Sequence, residues 1–289
     1  MILHSFQAVY VLALVWYLYR YPADKNVPLE DKPADIASSR FVWIRVLAVS
    51  LVFVLVVISP ESGMDILLLF VLVSMIGVLI TNWRGIRLLS VVQGATLGLV
   101  AFLAGLPANK NGLISDAAFL LLAGLVPFLY VAGGLLIERN QLGAIQLKGN
   151  GVGPPLKSFL SGCLLFVPLG LFNIADGLTS GDLSWVSKWW MPLTLPWFSG
   201  IAEEALFRLF LISICFFLLK PAFANRIQVA VVLTILFSAT VFGLVHGREL
   251  ETFLTTGFLY GAPMAVVFIR RDWEHAVGAH YMINMPSWV

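Results

Sequence analysis

The chain of 289 residues is 60% hydrophobic and 12% charged, with a mean hydropathy of +0.92, where a soluble domain carries about 25% charged residues. This composition excludes an ordinary water-soluble globule and points to an all-α, polytopic membrane protein whose first partner is the lipid bilayer. The formal net charge of +2 and the scatter of the basic residues argue against nucleic acid as a partner.

Apolar runs able to cross about 30 Å of hydrocarbon fall near 2–19, 41–59, 64–82, 88–106, 116–137, 158–175, 192–219, 228–246, 252–269 and 274–289. The sequence thus predicts ten transmembrane helices. The first could imitate a signal peptide, but no basic residue precedes Arg20 and no small-residue cleavage pattern follows, so it reads as a span. Polar or Gly/Pro-rich stretches separate the spans: Arg20 to Arg40, Pro107 to Asp116, and Glu138 to Lys157 with Gly149-Asn-Gly-Val-Gly-Pro-Pro155. No internal repeat or low-complexity segment stands out. Cys163 and Cys215 sit within apolar spans and read as small core residues, not as a disulfide or zinc pair.

The basic residues test this segmentation, because cytoplasmic loops collect them. Odd-numbered loops hold Arg20, Lys25, Lys32, Arg40, Arg84, Arg87, Arg139, Lys148, Lys157, Lys220, Arg226, Arg270 and Arg271. Even-numbered loops hold Lys110, Lys188 and Arg248, while Arg45 and Arg208 lie within spans. A 13 to 3 split places both termini outside, in a bacterial or archaeal cytoplasmic membrane. Gly94 and Gly98 form a small-xxx-small pair that predicts close helix packing. Trp185, Trp189 and Trp190 read as an interfacial aromatic belt. Pro192 and Pro196 suit the start or a bend of span seven.

Span seven carries Gly200-Ile-Ala-Glu203-Glu204-Ala-Leu-Phe-Arg208. Ionisable groups at membrane depth mark a functional site and must pair or face a wet cavity. At about 100° per residue, Glu204 and Arg208 share a helix face and can pair, which leaves Glu203, on another face, for proton chemistry. Span eight adds Phe242-Gly-Leu-Val-His246, stacking an aromatic ring one turn before a histidine, and span ten adds His280-Tyr-Met-Ile-Asn284, an imidazole and an amide facing one way. A base and several donors without an activated serine or cysteine suit hydrolysis by an activated water. His4 and His275 have no motif partner and read as interfacial.

Glu203-Glu204-x-x-x-Arg208, Phe242-x-x-x-His246 and His280-x-x-x-Asn284, in this order on spans seven, eight and ten, resemble the CAAX protease and bacteriocin-processing (CPBP) family of intramembrane glutamic endopeptidases, which includes the CAAX prenyl endopeptidases. The resemblance covers roughly residues 192–289 and implies metal-independent peptide hydrolysis with no cofactor. It further implies that Glu203 and His246 activate water, that His280 and Asn284 form the oxyanion hole, and that Glu204, Arg208 and Phe242 act as structural and orienting groups. The last motif helix is short and ends near Val289. The expected topology sets Glu203 and His246 toward the outer face, which favours an exported or membrane-anchored protein or peptide substrate, such as a leader or a C-terminal sorting segment.

The expected organisation is a six-helix membrane region of unknown role over 1–176 and a peptidase core over 177–289. Two other classes fit parts of the pattern. Glu203, His246 and His280 have the residue types of a zinc site but lack a His-Glu-x-x-His helix; chelator-sensitive cleavage restored by zinc would favour it. A proton-coupled transporter or binding protein would also use such a cluster, with broken helices in two repeated halves as its expected mark. No motif specifies an oligomeric state.

Overall fold

A computed structural model describes residues 2–21, 39–59, 62–149, 151–180 and 190–285, and the described residues are helical without a strand. The helices are α1 (Ile2–Arg20), α2 (Ser39–Ile58), α3 (Ser62–Thr81), α4 (Leu88–Lys110), α5 (Asp116–Asn140) and α6 (Gly153–Ser180). Then α7 runs from Met191–Glu204 through a π-helical stretch, Ala205–Ile212, into Ser213–Leu219. After α8 (Ile227–His246), α9 joins Leu250–Leu254, a second π stretch at Thr255–Gly261, and Ala262–Arg270; α10 is Trp273–Asn284.

Seven of these helices, α2 to α6, α8 and α9, are long and apolar enough to cross a membrane. Each of the ten expected runs overlaps a helix, but among the described residues seven, not ten, have the length and apolarity of a span. α7 carries Glu203, Glu204 and Arg208, and α10 has 12 residues, about 18 Å at 1.5 Å per residue, which is shorter than the hydrocarbon layer. Exposed leucines such as Leu51, Leu69, Leu89 and Leu164 give the outside the apolar cover a bilayer requires. Trp185, Trp189, Lys25, Lys32, Lys188 and Val289 lie outside the described residues, as does the side chain of His4. Trp190 packs on Ala108, Met191 and Leu195.

The larger hydrophobic core joins both halves of the chain, from Leu18 and Val71 through Phe166 to Phe210, Val267 and Ile283. Small residues set how closely its helices approach. Gly94 and Gly98 both face Pro127 of α5, and a Cβ on either would lie 2.9 Å from Pro127 atoms, so the pair packs helices as its spacing predicts. At Gly133 of α5, a Cβ would stand 2.7 Å from the Leu209 carbonyl oxygen, which seats the π stretch of α7 in the core. Cys163 and Cys215 are free and buried.

The closest crossing joins α6 to α10. A Cβ at Gly162 would overlap the His275 carbonyl, and one at Gly278 the Phe159 carbonyl. Stacking of Phe159 on Trp197, with ring centroids 4.9 Å apart, and of Trp197 against Tyr281 at 5.0 Å ties the same two helices to α7. Asp272 caps α10, accepting hydrogen bonds from the His275 backbone N–H at 2.8 Å and the Ser158 hydroxyl at 2.9 Å. Burial pushes the Asp272 carboxyl up, but the His275 and Ser158 hydrogen bonds outweigh it and hold the group below its ordinary value. Because the obstruction is backbone, Gly278→Ala is expected to force α6 and α10 apart and to destabilise the fold by about 1–3 kcal/mol. A melting temperature in detergent equal to wild type would show that this crossing tolerates separation.

Candidate active site

Three crossings bring the motif residues together. α8 meets α9 at Gly243 and Gly257, where a Cβ would lie 2.7 Å from the carbonyl oxygens of Phe253 and Ala239 respectively. That approach carries Phe242 to Gly261, at the end of the second π stretch, and α7 and α10 close the site from the other side.

Arg208 is fully buried and sits at the centre. Its Nη1 lies 3.2 Å from Glu204 Oε1, its Nη2 donates to the Gly261 carbonyl at 3.2 Å, and its guanidinium carbon lies 4.2 Å from the centre of the Phe242 ring. Charge pairing, a backbone acceptor and an aromatic face together offset the desolvation of a guanidinium in the core. The Glu204–Arg208 pair expected from the sequence is thus present, although a π stretch starts between its members.

Glu204 has a second partner that its helix position does not reveal. His280 Nδ1 lies 2.7 Å from Glu204 Oε1, and since a carboxylate only accepts, Nδ1 carries the hydrogen. His280 then presents Nε2 to Glu203 Oε2 at 3.7 Å. His246 is oriented in the same manner: its Nδ1 donates to the Phe242 carbonyl at 2.7 Å, and its Nε2 faces Glu203 Oε2 at 3.5 Å. The Phe242 ring supports both histidines, at centroid distances of 4.4 Å to His246 and 6.0 Å to His280, and is braced edge-on by Phe207 at 5.1 Å.

The two imidazoles therefore point their free nitrogens at one carboxylate oxygen, and that oxygen, Glu203 Oε2, is buried without a hydrogen-bond partner in the described structure. Such an oxygen is an incomplete site. The Glu203 side chain keeps 19% of its exposure and His246 32%, against 0% for Glu204 and Arg208, so Glu203 is the more accessible of the two carboxylates. It borders an apolar cavity of about 390 Å³. Met64, Asp65, Leu68 and Val71 of α3, and Leu121, Leu122 and Leu125 of α5, wall this space opposite Glu203 and His246.

Asn284 is placed differently. Its amide Nδ2 donates to Ser199 Oγ at 2.9 Å, and Ser199 in turn donates to the Leu195 carbonyl at 3.0 Å. It is therefore docked on α7 one turn before Glu203, beside the cluster and outside the contacts that link Glu203, Glu204, His246 and His280. Asn173 of α6 holds the adjacent Ile283 carbonyl at 3.0 Å, and the Tyr260 hydroxyl donates to Asn173 Oδ1. Sequence reasoning missed Ser199, Asn173, Phe207, Gly261 and the α3 and α5 walls. Ser199 alone had a local signal, sitting four residues before Glu203 on the same face. His275, read as interfacial, pairs with Asp272 at 2.8 Å.

Residues 185–286 match the family described as type II CAAX prenyl endopeptidase Rce1-like. Comparison with curated proteins and with solved structures gave no match. The matched segment contains Glu203, Glu204, Arg208, Phe242, His246, His280 and Asn284, and excludes the α3 and α5 walls of the cavity.

Proposed function

With residues 185–286 forming an Rce1-like domain in a helical membrane protein, we propose an intramembrane endopeptidase that hydrolyses a peptide bond with water activated by Glu203. The observation that carries this reading is the Glu203 oxygen without a hydrogen-bond partner, buried beside two oriented imidazoles at 3.5 and 3.7 Å. A water bound there hydrogen-bonds Glu203 Oε2 and His246 Nε2. Glu203 takes its proton as the oxygen attacks the carbonyl carbon; the tetrahedral intermediate collapses, the C–N bond breaks, and the proton passes to the leaving amine.

His280 and Asn284 serve the oxyanion in this reading. In this reading the His280 Nδ1–H stays on Glu204 while Nε2, facing Glu203 at 3.7 Å, is turned toward the oxyanion. The Asn284 amide spends one N–H on Ser199 and has a second for the oxyanion. Asn284→Ala is expected to lower kcat by about 10²–10³-fold, the loss typical of one oxyanion donor, with KM little changed. An unchanged kcat would return Asn284 to a packing role.

Residues 1–176 act in this proposal as the region that shapes access, with residues 177–289 as the peptidase core. Support comes from α3 and α5, whose apolar side chains wall the cavity at Glu203 and suit an apolar peptide segment. With both termini outside, the substrate is a membrane-associated or exported protein cut near the outer leaflet, in leader or C-terminal sorting-signal processing. The test is mass spectrometry of membrane-protein termini with candidate substrates co-expressed, comparing wild type with Glu203→Gln at matched expression. A terminus present only with wild type supports proteolysis and names the substrate. Identical termini would overturn the reading and favour proton-coupled transport.

A further inference from the structure

Away from the Glu203 cluster, one end of α2, α5 and α7 gathers positive charge that no carboxylate among the described residues answers. Arg45 of α2 and Arg139 of α5 converge on a single ring, with guanidinium carbons 5.5 and 4.7 Å from the Phe217 centroid. Lys220, the residue after α7, lies 3.4 Å from the Asn140 carbonyl oxygen and 5.7 Å from the Phe216 centroid. Glu138 precedes Arg139 in the chain but is turned to Lys148, at 2.9 Å. Among the described residues, Arg45, Arg139 and Lys220 form no ion pair with an acidic side chain.

The backbone does not neutralise the cluster. Helix C-termini at α5 and α7 supply roughly −0.5 charge each and the N-terminus of α2 about +0.5, so about −0.5 stands against three formal positive charges. Two guanidinium groups sharing one ring also repel each other. An anion resolves both problems.

An apolar groove of about 460 Å³ lies beside the cluster, walled by Val46, Val49 and Phe53 of α2, Leu219 of α7 and Leu236 and Phe237 of α8. Val46 and Leu219 are the chain neighbours of Arg45 and Lys220, so the cations stand at one end of the groove. Cations followed by an apolar trough match an amphiphile with an anionic head, and basic pockets between transmembrane helices recognise such headgroups.

We propose that α2, α5, α7 and α8 hold one anionic phospholipid, its phosphate at Arg45, Arg139 and Lys220 and an acyl chain in the groove. The site is independent of Glu203 and of the peptidase reading. A free phosphate would satisfy the cations but not the groove.

The test is native mass spectrometry of the full chain released from vesicles of equimolar phosphatidylglycerol and phosphatidylcholine. Wild type is expected to retain one phosphatidylglycerol in preference to phosphatidylcholine, and Arg45→Gln/Arg139→Gln to lose roughly 30-fold in that preference, from two surface cations. Arg84→Gln/Arg87→Gln, which changes cations elsewhere, is expected to keep it. Lys220→Gln provides a milder change should the double variant not fold, and Leu236→Trp, which fills the groove and spares the cations, is expected to weaken retention as well. Equal retention of the two lipids by wild type, or retention indifferent to Arg45, Arg139 and Lys220, overturns the site. Displacement of the lipid by inorganic phosphate alone, or indifference to Leu236→Trp, overturns the acyl-chain assignment in favour of a simple anion site.

Discussion

Glu203→Gln is expected to lower turnover by about 10²–10⁴-fold, the range for removal of a general base, while the protein inserts and melts as wild type does. Glutamine nearly keeps the volume of the side chain, so the cavity wall and the packing around Leu206 and Phe207 are undisturbed. What disappears is the carboxylate that both imidazoles face, at 3.5 and 3.7 Å, whereas Glu204 is committed to Arg208 at 3.2 Å and to His280 at 2.7 Å. Glu204→Gln separates the two roles. It should reduce activity too, through a misoriented His280 and an unpaired Arg208, but with a lowered melting temperature. The measurement is single-turnover cleavage of the substrate identified from membrane termini, beside thermal unfolding of the same preparations in detergent. A Glu203→Gln protein within about tenfold of wild-type turnover would leave no role for general-base chemistry at this position.

The same cluster shows which relations a sequence can carry. Pairs four residues apart were legible: Glu204 with Arg208, and Phe242 stacked on His246 at 4.4 Å, both follow from helical spacing alone. Gly94 and Gly98 announced a close packing that Pro127 fulfils. The contact of His280 with Glu204 joins positions far apart in the chain through the meeting of α7 and α10, and no local pattern encodes it. The walls contributed by α3 and α5 are ordinary lipid-span residues such as Leu68 and Leu122, indistinguishable by type from their lipid-facing neighbours. The π stretches at Ala205–Ile212 and Thr255–Gly261 have no compositional signature, yet the first carries Arg208 and the second its carbonyl acceptor Gly261, and π turns are frequent at functional sites. Among the described residues seven helices satisfy the length and apolarity of a span where ten were expected, and two of the exceptions, α7 and α10, carry motif residues: Glu203, Glu204 and Arg208 are what reduce the apolar character of α7.

Arg208→Ala is expected to be the most destabilising change in the site, by about 3–5 kcal/mol, the range for breaking a buried ion pair from one side. Arg208 has 0% exposure and makes three interactions at once, with Glu204, the Gly261 carbonyl and the Phe242 ring. Alanine removes all three, strands the Glu204 charge in the core with His280 as its remaining partner, and leaves the carbonyl without its donor. Arg208→Lys keeps the charge but not the planar fork, and a single ammonium serves one acceptor well instead of two, so a smaller loss is expected. Arg208→Met/Glu204→Gln tests the cause: with both charges gone the desolvation penalty is gone as well, and stability should recover in part relative to Arg208→Ala. Activity should not return with it, because His280 loses the carboxylate that fixes its Nδ1–H. Thermal unfolding in detergent reads the first effect and cleavage the second. An Arg208→Ala protein that melts as wild type would mean that water or a neighbouring group satisfies Glu204, and that the arginine's place in the site is catalytic instead of structural.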